Sequence, residues 1–171
     1  MEKNSIWIAL WVIVGVVGIY SIVNDKMKES KDNEIAYYAE KCYDINGVKC
    51  ISFEQMKYIA KKRMSTEEID AFSEKCGLLL KGKKSEDAKL TSRYGLNGFV
   101  YDVVISNNYY SFYFHSSADY INRLRSDLKA EDCSATGDRN HMSSDKIEGL
   151  VVNMNWDLSA GSIVVAIIVK S

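Results

Sequence analysis

Hydrophobic positions in this chain fall into three patterns. The first is an apolar run, Ile6–Val23 (IWIALWVIVGVVGIYSIV), with no charge inside it. A bilayer core of about 30 Å needs roughly 18–20 apolar residues at 1.5 Å rise each, and this run meets that length. Charges bracket it: Glu2 and Lys3 before, Asp25, Lys26 and Lys28 after. Trp7, Trp11 and Tyr20 lie towards its ends, where amphipathic rings favour the headgroup layer. The run is too long for a cleaved signal core and its exit lacks an Ala-x-Ala site. It also has no polar face of the kind a buried core helix shows. An uncleaved single-span anchor is therefore expected. Asp25–Glu40 is polar with a late apolar patch (Ile35, Tyr37, Tyr38, Ala39) and reads as a solvated helical stalk.

The second pattern is helical. Ser52 with Gln55 and Ser65 with Glu68 fit capping boxes. The first opens a stripe of Phe53, Met56, Ile59 and Ala60; the second a stripe of Ile69, Phe72, Cys76 and Leu79. Two readings stay open at the end of the second helix: it runs on through Leu79, or Gly77 ends it early in a left-handed cap and Leu78–Leu80 is a short strand; Lys81–Asp87 is a charged loop. A third helix, capped by Ser116 or Ser117, buries Ala118, Ile121, Leu124 and Leu128 and keeps Asp119, Arg123, Asp127 and Lys129 wet.

The third pattern is alternation. Strands begin near Tyr94. Phe99, Tyr101, Val103 and Ile105 face opposite to Val100, Asp102, Val104 and Ser106; Asn107-Asn108 turns; Tyr110, Phe112 and Phe114 face opposite to Tyr109, Ser111, Tyr113 and His115. Glu131–Ser144 is a polar loop holding Cys133 and His141. Leu150–Trp156 alternates, Asp157–Gly161 turns, and Ile163–Val169 is apolar throughout, which predicts a strand in the middle of a sheet. The domain plan is a short tail (1–5), a transmembrane helix (6–23), a stalk (24–41) and an α+β domain (42–171).

Four cysteines, Cys42, Cys50, Cys76 and Cys133, show no CxxC spacing, and only His115 and His141 are available to add metal ligands. No metal site or cofactor is expected. Asn46-Gly47 is a tight-turn signal that brings Cys42 towards Cys50, leaving Cys76 to pair with Cys133. An even cysteine count favours an oxidising compartment. The lysine count around the span (Lys3 against Lys26, Lys28 and Lys31) favours a cytoplasmic domain. The cysteines are given the greater weight, which places the C-terminal domain in the periplasm and the span in the inner membrane.

Net charge is −1, so nothing electrostatic recommends nucleic acid. The basic cluster Lys61-Lys62-Arg63 falls at a helix C-terminus, where cations offset the helix dipole. Proline is absent, which removes Pro-rich recognition motifs. No P-loop, GxGxxG or HExxH occurs. Ser116 and Ser117 beside His115 read as helix caps, Asp102 with His115 as a cross-strand structural pair, and Glu67-Glu68 as dipole-complementing carboxylates; no enzyme is expected. Tyr101, Tyr109, Tyr113 and His115 make the hairpin a candidate binding surface, since exposed aromatics mark interfaces.

The element order is span, stalk, helix, then helix-strand-strand twice. Two αββ units predict a small antiparallel sheet with helices on one face, a ferredoxin-like αββαββ arrangement. In element order alone, with no residue motif, this resembles the periplasmic domains of inner-membrane platform proteins of type II secretion and type IV pilus machines. That resemblance implies a non-catalytic interaction subunit whose partners are the membrane and other envelope proteins, and it is compatible with self-association. A different class of reading is a membrane-anchored sensor or regulatory partner, which calls for an apolar cavity of about 300 Å³ or more. A pilin-like subunit is a distant third: no Gly precedes the run and no Glu lies early in it.

Overall fold

The structure, a computed structural model, describes residues 3–87, 101–107, 109–115, 117–130, 134–135, 141–144, 150–157 and 162–169. Side chains are described for 12–86, 102–107, 109–113 and 117–130. The chain forms two compact units, Met1–Tyr37 and Tyr38–Ser171.

The described residues of the first unit belong to α1 (Lys3–Ala39), one 37-residue helix that runs from the apolar stretch into the polar one without a break. Among the described residues no helix is long and apolar enough to cross a membrane. Described side chains of α1 start at Val12, and Val12–Val23 alone is shorter than the roughly 18–20 residues a bilayer requires.

The second unit starts with a hairpin, β1 (Tyr43–Ile45) and β2 (Val48–Cys50). Its two-residue turn has Asn46 and Gly47 both at positive φ (54° and 81°), the conformation that suits Asn-Gly and matches the strands' twist. α2 (Phe53–Lys62) and α3 (Thr66–Cys76) follow. Both capping boxes form in full: Ser52 Oγ accepts from the Gln55 N–H, Ser65 Oγ from the Glu68 N–H, and each Gln or Glu side chain returns a bond to the cap's own N–H. Phe53, Met56, Ile59 and Ala60 are buried as the spacing predicts. At about 1.5–3 kcal/mol for each large apolar side chain, this stripe outweighs the helix's weak intrinsic propensity. Gln55 is buried too, because its Nε2 donates to the Tyr38 carbonyl at 2.8 Å. Tyr58 stacks on Tyr38 with ring centroids 3.9 Å apart.

The two helices end differently. Gly77 closes α3 at φ 68°, where glycine has no steric cost. Arg63 closes α2 at φ 51°, ψ 47°, where a Cβ costs roughly 1–2 kcal/mol. Arg63→Gly should therefore raise stability by about 0.5–1 kcal/mol, read as a higher urea midpoint at unchanged slope. A lower midpoint would mean that the Arg63 side chain contributes more than its backbone costs.

The large sheet is seven-stranded, in the order β3-β4-β5-β9-β8-β7-β6. Its strands are β3 (Leu80–Lys84), β4 (Tyr101–Ser106), β5 (Tyr109–His115), β6 (Ser134–Ala135), β7 (His141–Ser144), β8 (Leu150–Asp157) and β9 (Ser162–Val169). α4 (Ala118–Ala130) connects β5 to β6, and Ser117 is its cap, accepting the Tyr120 N–H at 3.4 Å. The continuously apolar β9 sits at the centre, between β5 and β8. The four strands β4-β5-β9-β8 are antiparallel throughout, so both αββ units contribute to one sheet. Val103 opposes Phe112 and Ile105 opposes Tyr110, which aligns the apolar faces of the hairpin. On that face Val103 and Phe112 are fully buried, and the Tyr110 hydroxyl donates to the Met64 carbonyl at 3.1 Å.

Several expectations change. Lys81–Asp87 is not a charged loop: Lys81–Lys84 continues β3, which pairs in parallel with β4, and Ser85–Asp87 is one 3-10 turn. A lysine-rich segment suits an edge strand, where charge discourages pairing with other chains. Glu131–Ser144 likewise holds β6 and β7. In α4 the buried residues are Tyr120, Ile121, Leu124 and Leu128; Ala118 is exposed, since it stands at the first turn before the stripe. Leu79 lies beyond the end of α3 and is 67% exposed. The strand onset near Tyr94, together with Asn108, Ser116 and Cys133, lies outside the described residues.

Candidate functional site

The cysteines come first, because their positions decide which bridge the fold allows. Cys42, Cys50 and Cys76 are free thiols; Cys133 lies outside the described residues. The expected Cys42–Cys50 bridge is absent, and the hairpin register explains why. Cys50 stands opposite Tyr43, one residue away from Cys42, and neighbouring strand residues point to opposite faces. The two thiols also have different partners: Cys42 Sγ donates to the Ala39 carbonyl at 3.5 Å, and Cys50 Sγ to the Val48 carbonyl at 3.6 Å. The Asn-Gly turn does form, yet it brings together the wrong pair.

Around Cys50 the hairpin is fastened by Tyr43. Its hydroxyl donates to Asp127 Oδ2 at 2.6 Å and accepts from the Phe53 N–H at 3.2 Å. Its ring meets Tyr120 edge-on at 5.8 Å, and the Arg123 guanidinium lies 5.6 Å from its centroid. The Tyr120 hydroxyl in turn donates to the Ile51 carbonyl at 2.8 Å. Burial, then the bond to the Asp127 carboxylate, push the Tyr43 phenol far above its ordinary value, so it stays neutral. This cluster ties β1, α2 and α4 together. Arg123 is exposed, as its wet-face assignment expects, whereas Asp127 is half-buried; the available signal for their shared contact with Tyr43 was that Tyr120, Arg123 and Asp127 recur at helical spacing on one side of α4.

The candidate binding surface on the β4–β5 hairpin divides by register. Tyr101 opposes Phe114 on one face; Tyr109, Tyr113 and His115 belong to the other, with His115 opposite Ser162. Asp102 opposes Tyr113 rather than His115, so the proposed Asp102–His115 pair is not directly cross-strand. Along the Tyr109 face, Asp102, Val104 and Ser111 are buried, Tyr113 is half-buried and Tyr109 is 38% exposed. Asp102 takes its charge partner from β3, with Lys83 Nζ 3.1 Å from Oδ2. That partner was missed because Lys81–Asp87 was read as a loop. Nothing in this pairing supplies a nucleophile. Among the described residues there is also no group of three or more His, Cys, Asp or Glu side chains able to hold a metal ion.

The described residues also form a concave surface. A groove of about 620 Å³ runs between α3 and the start of β3, with Asp70, Ala71, Glu74, Leu79 and Lys81 at its rim and Ser73, Leu78 and Leu80 beneath. Ser73 is committed to the backbone: its Oγ donates to the Leu78 carbonyl at 2.7 Å and accepts the Leu80 N–H at 2.9 Å. Asp70 accepts the Gly82 N–H at 2.9 Å. The groove floor therefore covers the free edge of the sheet, and its polar atoms already have partners.

Compared with known proteins, the chain matches no family model, no curated protein and no solved structure.

Proposed function

We propose that this chain is a single-pass, membrane-tethered interaction subunit of a cell-envelope assembly. On this reading it is non-catalytic, and its α+β domain lies on the extracytoplasmic side. The observation that carries the reading is the surface of α1. Val12, Ile13, Val14, Val16, Val17, Ile19, Ile22 and Val23 are each 51% to 66% exposed, and they occupy every side of the helix. A helix that is apolar all round needs an apolar surrounding, and with Ile6–Leu10 and Trp11 the run is long enough for lipid to supply it. Apolar exposure on this scale marks a membrane or protein contact. The antiparallel order β4-β5-β9-β8 adds support for the αββαββ, platform-like arrangement.

A second reading, a sensor, draws on the α3–β3 groove, whose volume falls within the ligand range of about 300–1,000 Å³. Its rim of Asp70, Glu74 and Lys81, and its committed floor, suit a protein partner better than an apolar signal.

The test is membrane fractionation of the full chain. Wild type should resist carbonate extraction, and a domain-specific protease should reach it in spheroplasts without lysis. Ile13→Lys with Val17→Lys places two charges mid-run, at about 2.5–3.5 kcal/mol each, and should move most of the protein to the soluble fraction. Wild type recovered in the carbonate supernatant would remove the anchor. Protease access only after lysis would reverse the orientation.

A further inference from the structure

Three observations converge on one corner of the second unit. Cys42 directly precedes β1, and Asp44 with its cross-strand partner Lys49 occupies the hairpin face opposite to Tyr43 and Cys50. The Lys49 side chain lies along the end of α3: its Cδ is 3.6 Å and its Nζ 4.0 Å from where a Cβ on Gly77 would stand. Gly77 follows Cys76, the last residue of α3, which is 1% exposed. The hairpin that Cys42 leads into is thus laid, through Lys49, against the end of the helix bearing Cys76.

We propose that Cys42 and Cys76 form this domain's disulfide, closing the chain from the exit of α1 to the end of α3. Cys50 is excluded by register, since it belongs to the Tyr43 face. The electrostatics agree with the geometry. The Cys76 thiol is pushed up to about 11, first by burial, next by the neighbouring Cys42, while Lys49 pulls it down. Cys42 therefore lies close enough to act on the Cys76 thiol, and the Lys49 ammonium favours the Cys76 thiolate that exchange requires.

The oxidant is a disulfide-bearing donor, such as oxidised glutathione or a thioredoxin-fold protein. Cys42, half-buried where Cys76 is buried, reacts first. Its thiolate attacks a donor sulfur, breaking the donor S–S bond and leaving a mixed disulfide and one donor thiolate. The Cys76 thiolate then attacks Cys42 Sγ, forming the Cys42–Cys76 bond and expelling the second donor thiolate. The two cysteines lose two electrons, the donor gains them, and the two protons end on the donor thiols. The bridge encloses β1, β2, α2 and α3 and restrains the segment that leaves α1. It is a property of the domain, independent of membrane attachment.

Trypsin separates all four cysteines, because Lys41, Lys49, Lys75 and Lys129 each precede a different cysteine-containing peptide. The experiment oxidises the full-length protein in detergent with oxidised glutathione and maps its tryptic peptides without reduction. The expected product links Cys42-Tyr43-Asp44-Ile45-Asn46-Gly47-Val48-Lys49 to Cys76-Gly77-Leu78-Leu79-Leu80-Lys81. Oxidation should raise the melting temperature by roughly 10 °C, the scale for a loop of this length, and Cys42→Ser should abolish the rise. A Cys50→Ala, Cys133→Ala variant, retaining only the proposed pair, should oxidise to the same linked product. Linkage of Cys42 to Cys50, of Cys76 to Cys133, or stable glutathione adducts on both Cys42 and Cys76 would overturn the pairing.

Discussion

Tyr43→Phe should lower the stability of the α+β domain by about 2–4 kcal/mol, although it removes one oxygen atom. That oxygen donates to Asp127 Oδ2 at 2.6 Å and accepts the Phe53 N–H at 3.2 Å. Phe53 opens α2, so its N–H is among the donors that a helix cannot satisfy internally. Tyr43 and Phe53 are both buried, and water does not replace the lost acceptor. An unsatisfied buried N–H costs about 1–3 kcal/mol, and loss of a hydrogen bond to a charged group adds about 1.5–3 kcal/mol. Asp127 is only half-buried and rehydrates, which reduces the second amount. Urea unfolding should show a lower midpoint at unchanged slope; a loss under about 1 kcal/mol would show that the hairpin is held by apolar contact alone.

The same residue sets an alkaline limit. The Tyr43 phenol is raised in the folded state by burial and by Asp127, and Tyr110 is raised by burial. A group raised above its unfolded value, near 10 for tyrosine, stabilises the fold fully below that value. The contribution is then lost as pH rises towards the folded value. Wild-type stability should therefore decline above about pH 10, and Tyr43→Phe should decline less steeply. Parallel profiles for the two proteins would remove Tyr43 from the alkaline transition.

Gly82→Ala should cost about 2–4 kcal/mol and make the protein prone to self-association. A Cβ there would stand 2.7 Å from the Thr66 carbonyl oxygen and 2.8 Å from Thr66 Cα. Both are backbone atoms, so no side chain can rotate aside. Thr66 is itself held by the Ser65–Glu68 capping box. α3 must therefore move off β3, and the Asp70–Gly82 and Ser73–Leu80 bonds go with it. Those bonds occupy outward-facing N–H groups of an edge strand, and freeing them exposes a template for another chain. Gly47→Ala is the control: nothing lies within 4 Å of the added Cβ, and only the positive φ opposes it, at about 1 kcal/mol. Unfolding and light scattering on both variants check this; equal, small effects would mean that the α3–β3 approach is not close-packed.

The comparison of Ser65 with Cys42 shows where sequence reading succeeds and fails. Ser65 and Glu68 lie three residues apart, so the chain itself brings them together, and the cap forms wherever the helix does. The Asn46-Gly47 turn and the alternation of β4 and β5 are legible for the same reason. Cys42 is different. Its nearest cysteine in sequence is Cys50, but strand register, which follows from the turn, sets that thiol on the other face. Lys83 also lacks a local signal: it reads as loop charge until β3 is seen pairing with β4 and carrying it to Asp102.

The sequence by itself determined the elements whose causes are local. These are the long N-terminal helix with its apolar run, the two capping boxes, the Asn-Gly turn and the central placement of Ile163–Val169. Each depends on contacts within a few residues, or on an apolar density that only an interior position satisfies. Only the tertiary structure decided the strand status of Lys81–Lys84 and His141–Ser144, the register that sets Tyr101 opposite Phe114 and apart from Tyr109 and Tyr113, the Tyr43–Asp127 fastening and the cysteine neighbours. Those features join residues far apart in sequence, and what sets them is the register and packing of the folded whole.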